Sequence, residues 1–163
     1  VDVISDFLEQ KEIDNFLVEI GGEMVSRGFN KSTNDTWKVG ISDPLKPDSP
    51  NYFTKIELKN RALASSGNYR KYKVDKTSGN KIVHTVNPKS GEAIETNVVG
   101  VSVIANDCMT ADAYATAFMV MPLEDSIKII NENYEIDVLI IYLNELNEID
   151  TFLTKGFESL TSN

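Results

Sequence analysis

Two neighbouring stretches constrain this chain more than any others. Residues 97–105 form an apolar, β-branched run with the length and content of a central strand. The run Thr110-Ala-Asp-Ala-Tyr-Ala-Thr-Ala117 follows, with four alanines alternating with its other side chains, and is a strong helix former of little bulk. Around them the pattern alternates between elements. Residues 3–11 carry Val3, Ile4, Phe7 and Leu8 at helical spacing. Residues 16–20 read as a buried strand, and Gly21-Gly22 punctuates it before a second strand over 23–28. Residues 30–35 are a turn cluster, 37–41 a third strand, and 53–58 a short strand. Residues 43–51 hold three of the five prolines and form a surface loop. Residues 69–74 and 81–83 read as a hairpin with 77–80 at its tip. Pro122 suits the first position of a helix over 123–131. Residues 136–143 are expected to be the final strand, before a short polar tail. Runs of strands with helices at the beginning and near the end predict an α+β fold built mostly on antiparallel sheet.

A chain of 163 residues fits one domain, which at this length buries about 68–70% of its unfolded surface. The formal charge of −9, with no basic stripe among aromatics, argues against nucleic acid as a partner, because phosphate binding needs clustered Lys and Arg. It also disfavours anionic lipid. The single cysteine, Cys108, excludes an intrachain disulfide and a cysteine-based zinc site. No apolar run approaches the ~20 residues that span a bilayer.

Asp112 and Thr116, four apart, share one helical face with about 5–6 Å between Cβ atoms. Both are hard oxygen donors. Magnesium takes one or two protein carboxylates and completes its octahedron with water and phosphate oxygens. The competing reading is an N-terminal helix acid favoured by the macrodipole, with a back-bonded threonine. On spacing alone that second reading is preferred.

Three further segments carry chemistry or structure. In Leu63-Ala-Ser-Ser-Gly-Asn-Tyr-Arg70, a glycine inside a strand-like run marks a bulge or a close backbone approach to a ligand, which Ser65 and Ser66 would contact. Taken alone, an ordinary bulged connection is the preferred reading. In His84-Thr-Val-Asn-Pro-Lys-Ser-Gly91, residues 87–91 are sound turn chemistry. His84 is the only histidine; it suits proton abstraction from a hydroxyl, or a structural role. Gly21-Gly22 permits close packing or a phosphate-binding turn, without any Walker or dinucleotide pattern around it.

Taken in order, Val18-Glu-Ile-Gly-Gly-Glu23, Ser66-Gly-Asn-Tyr-Arg70, His84-Thr-Val-Asn-Pro-Lys-Ser-Gly91 and Thr110-Ala-Asp-Ala-Tyr-Ala-Thr116 resemble the ApbE family of FAD:protein FMN transferases. That family usually shows S-G-D-Y-x-R-Y, H-x-I-D-P-x-T-G and A-D-x-x-x-T-A in this order. Thr154-Lys-Gly-Phe157 extends the likeness. Asn68 and Asn87 stand where the family has Asp, and Ser90 where it has Thr. Asn87 keeps the turn geometry and loses a charge.

The resemblance implies an α+β, T-fold-like architecture and a magnesium-dependent reaction. FAD would be cleaved, FMN linked to a threonine of an acceptor flavoprotein, and AMP released. It implies Asp112 and Thr116 as Mg²⁺ ligands, His84 as the base, and Ser66, Gly67, His84 and Val86 at the flavin nucleotide. The Ser66-Gly67 bend would let backbone approach the flavin, and the start of the Asp112 helix would favour phosphate. Hydrolysis of FAD to FMN and AMP, and a non-catalytic flavin-binding fragment, are the alternatives. Val1-Asp2 matches the end of a D-x-x-x-x-x-K-G-Y-x-V-D segment, so the chain is expected to be the C-terminal half of such an enzyme. Its partners would include the N-terminal half, with self-association through the surface that half would cover. The location implied is the periplasmic side of a bacterial envelope, lipid-anchored through an N-terminal segment.

Overall fold

The computed structural model describes residues 1–46, 49–67, 72–74, 81–83, 91 and 96–162. An antiparallel sheet of six strands organises them. The strands are β1 (Phe16–Ile20), β2 (Glu23–Arg27), β5 (Ala62–Gly67), β8 (Val98–Ala105), β9 (Asp137–Leu143) and β10 (Ile149–Leu153), in the spatial order β1-β2-β5-β8-β9-β10. A second sheet joins β3 (Trp37–Ser42), β4 (Tyr52–Leu58) and the short β11 (Thr161–Ser162). Strands β6 (Tyr72–Val74) and β7 (Lys81–Val83) pair antiparallel as the expected hairpin, whose tip lies outside the described residues. The helices are α1 (Asp2–Gln10), α2 (Cys108–Val120), α3 (Leu123–Glu132) and α4 (Lys155–Leu160). The fold is therefore α+β and mostly antiparallel.

Side-chain alternation sorts the six-stranded sheet into two faces. Val101, Val103 and Ala105 of β8 and Val138 and Ile140 of β9 point to one side, where Ala111, Ala115, Phe118 and Met119 of α2 and Ile130 of α3 pack on them. Ile104, Leu139 and Ile141 point to the other, against Val39, Ile41, Ile56 and Leu58 of the small sheet and Phe157 of α4. Because both faces are covered, β8 and β9 read as continuous apolar runs rather than alternating ones. Burying them removes the apolar surface that drives folding.

Gly21-Gly22 closes the β1–β2 hairpin, with Ile20 opposite Glu23. Both glycines have positive φ, 72° and 107°, as a two-residue turn of this hand requires. The Glu19 carboxylate accepts from the Gly22 amide at 2.8 Å, so this turn is structural.

Three sequence expectations need correction. First, β5 is a full strand, and its register with β8 runs unbroken from Ala62↔Ala105 to Gly67↔Gly100. The bulge predicted at Gly67 is absent; the sheet's irregularity lies on β8, between Val98 and Gly100. Second, residues 136–143 are not the last strand, because β10, α4 and β11 follow. Third, Pro122 directly precedes α3 instead of opening it.

The end of the chain is held by a polar clasp. The Arg61 guanidinium donates to Asp137 Oδ2 at 2.5 Å and to the carbonyls of Ile104 and Glu135. Thr154 caps α4 by accepting from the Phe157 amide at 3.2 Å, and its hydroxyl donates to Asp137 Oδ1 at 3.2 Å. Gly156 lies so close that a Cβ there would stand 1.8 Å from Asp137 Oδ1.

Candidate functional site

Helix α2 lies along β5, and small side chains on both elements allow the approach. Ala62 shares a buried cluster with Cys108, and Ala64 shares one with Ala111 and Ala115. One step further along the same face, Ser66 meets Thr116, with their hydroxyl oxygens 3.2 Å apart. The alanine ladder thus ends in a hydroxyl pair at the solvent edge. On the opposite face Ser65 pairs with the buried Ser102 hydroxyl at 2.8 Å.

Two carboxylates occupy the start of α2. Asp107 is the N-cap and accepts from the Thr110 amide at 2.7 Å and its hydroxyl at 2.9 Å. Asp2, brought in by α1, accepts from the amides of Cys108 and Met109 at 2.8 Å each. The amides expected to favour phosphate are therefore already taken. Asp107, immediately before the helical run, is an N-cap signal readable in the sequence. The role of Asp2 is not, because its partners lie 106 and 107 residues away.

Asp112 is the fifth residue of α2, past the first turn. That position removes the reading of it as an N-terminal helix acid. Its side chain is exposed and, among the described residues, has neither a hydrogen-bond nor an ion-pair partner. Thr116 is exposed one turn later. Ser66 and Gly67 end β5 in straight extended pairing with Val101 and Gly100, so the bend expected there does not occur. The structure brings Ser66 to Thr116. His84 and Val86 lie outside the described residues, as do Asn68, Asn87 and Ser90.

Cys108 is buried beneath this surface. Burial first, then the charges of Asp2, Glu23 and Asp112, push its thiol up to about 11. A thiol so disposed stays protonated at neutral pH, as a structural buried cysteine does.

Among the described residues no group of three or more His, Cys, Asp or Glu side chains could hold a metal. What α2 offers is one unpartnered carboxylate and a neutral hydroxyl on an open face. That donor set suits a hard cation that keeps water and takes further oxygens from a phosphate, as Mg²⁺ does. It does not suit zinc or another thiophilic ion.

The model of the ApbE family matches residues 1–140. The chain belongs to the ApbE family. A FAD:protein FMN transferase from Vibrio cholerae is 38% identical over 141 residues, covering 86% of this chain and 41% of that protein. One from Haemophilus influenzae is 31% identical over 161 residues, covering 99% and 45%. The structure of the flavin transferase ApbE from Vibrio cholerae superposes with a TM-score of 0.80 at 33% identity, covering 98% of this chain and 48% of that one. The apo flavinyl transferase ApbE from Pseudomonas stutzeri gives 0.79 at 29% identity, covering 98% and 47%. The ApbE-family chain described here spans about half the length of these relatives.

Proposed function

We propose that this chain is the metal-handling part of a Mg²⁺-dependent FAD:protein FMN transferase. The observation that carries the reading is the Asp112–Thr116 pair: two oxygen donors one turn apart on an open helical face, the carboxylate unpartnered among the described residues, in a chain of the ApbE family.

In this reading Asp112 supplies the anionic ligand and Thr116 the neutral one. The bound Mg²⁺ would offset charge gathering on the phosphoryl oxygens. Ser66, Gly67 and Val86 border the flavin nucleotide. His84 takes the proton from the hydroxyl of the acceptor's threonine, a poor nucleophile unaided. The threonine oxygen bonds to the FMN phosphorus as the pyrophosphate P–O bond breaks, and AMP departs with that bond's electron pair. The first turn of α2 does not bind the leaving phosphate, since Asp2 and Asp107 hold its amides. The protein would act on the periplasmic side of a bacterial envelope, lipid-anchored through an N-terminal segment.

Incubation of the intact protein with FAD, Mg²⁺ and a candidate acceptor tests the reading. Covalent flavin on the acceptor, with one AMP per flavin, is expected. Free FMN and AMP with an unmodified acceptor would assign hydrolysis instead, and retained FAD without turnover would leave a binding module. Because the chain spans about half the length of its relatives, the isolated 163 residues are expected to bind FAD weakly and to transfer no FMN.

A further inference from the structure

A hydroxyl that ligates a metal does so through an oxygen lone pair, and its hydrogen must then point to an acceptor elsewhere. Thr116 is exposed, and a threonine in a helix divides between two rotamers. Among the described residues no hydrogen bond within α2 holds its hydroxyl. Ser66 is placed to do so. Its Oγ lies 3.2 Å from Thr116 Oγ1, on the β5 face that carries Ala62 and Ala64 against α2. The strand fixes this position, because Ser66 stands opposite Val101 in an unbroken register with β8.

We propose that Ser66 is a positioning residue for the metal site: it accepts the Thr116 proton and holds Thr116 Oγ1 as a ligand, without touching the metal itself. The inference rests on the reading of Asp112 and Thr116 as Mg²⁺ ligands. It differs from a flavin-contact role for Ser66, because it ties this serine to cation affinity in the absence of any nucleotide. In this arrangement the Thr116 proton is committed to Ser66 and the Ser66 proton is not.

The test is Mn²⁺ binding to the intact protein without FAD, followed by the loss of the free-ion electron paramagnetic resonance signal, with Mg²⁺ as competitor. Ser66→Ala should weaken binding about 3–10-fold, the worth of one hydrogen bond. Ser66→Thr, which restores the acceptor, should bind like the parent protein. Combining Ser66→Ala with Thr116→Ala should cost no more than Thr116→Ala alone, because residues acting through one interaction are not additive. The apo-protein melting temperature of Ser66→Ala should stay within a few degrees of the parent, as expected for a hydroxyl at the solvent edge. Losses that add in the double variant, or unchanged affinity in Ser66→Ala beside a weakened Thr116→Ala, overturn the positioning role and leave the metal site standing. Unchanged affinity in Asp112→Ala overturns the site itself, and the role of Ser66 with it.

Discussion

Asp2 accepts a hydrogen bond from the backbone amide of Cys108 at 2.8 Å, across 106 residues of chain. Its second oxygen takes the amide of Met109, so one carboxylate closes the start of α2 and fixes α1 beside it. Asp2→Ala should destabilise the fold by roughly 1–2 kcal/mol, the scale of a lost N-cap. Asp2→Asn, which keeps one acceptor oxygen, should lose about half as much. Midpoints of denaturant unfolding measure both, and equal midpoints for Asp2→Ala and the parent would show that the cap contributes nothing.

Cys108 makes stability fall with alkali. Its thiol is raised from 9.0 to about 11 in the folded chain, chiefly by burial. Between those values the unfolded chain has lost the proton while the folded one keeps it, so the slope of stability against pH is negative there. Below pH 9 the group contributes no slope, and above about 11 none remains. The difference between the parent and Cys108→Ala isolates this from other groups titrating in the same range. That difference should shift by roughly 2–3 kcal/mol across the window, and a constant difference rejects the assignment.

The metal pair predicts an asymmetry. Asp112→Ala should abolish Mg²⁺-dependent turnover while leaving the fold intact, since alanine suits an exposed helical position. Thr116→Ala removes a neutral ligand and should instead raise the Mg²⁺ concentration needed for half-maximal rate. Near-normal activity of Asp112→Ala at limiting Mg²⁺ would refute the assignment.

For His84 the expected effect is on chemistry and not on binding. His84→Asn should lower kcat by about 10²–10⁴-fold, the usual contribution of a general base. FAD affinity should be nearly unchanged. Parallel loss of both would make this histidine a binding residue.

Gly156 predicts a defect far from any chemistry. A methyl group there would overlap Asp137 Oδ1, which Arg61 and Thr154 hold in place. Gly156→Ala should therefore cost roughly 1–3 kcal/mol, as overpacking does. A thermal melt within error of the parent would mean that the clasp yields freely.

These sites differ in how far the sequence reveals them. Strands β8 and β9 are legible because burial on two faces makes them continuously apolar. Strand β5 is hidden for the opposite reason. Ala62-Leu-Ala-Ser-Ser-Gly67 lacks β-branched residues, since α2 lies too close for bulk, so it reads as a connection. Strand β10 is a sheet edge with Ile149, Asp150 and Leu153 exposed, and the polar residues 144–148 before it make the stretch read as a tail. The Asp112–Thr116 spacing is local and legible. The contact of Thr116 with Ser66 depends on strand and helix registers 50 residues apart, and the cap from Asp2 on a separation of 106; no local pattern encodes either.

The pairing of Gly67 with Gly100 has a consequence for how such proteins diversify. Among the described residues, the excursion between β5 and β8 pairs as β6 with β7, outside the central sheet, and its two ends lie where Gly67 faces Gly100, beside the solvent edge where Ser66 meets Thr116. His84 travels within that excursion. The segment is thus a cassette whose two ends are anchored together by strands that belong to the core. Among the described residues the buried clusters of β5, β8 and α2 take no member from it, so changes there are expected to leave the helix bearing Asp112 in place.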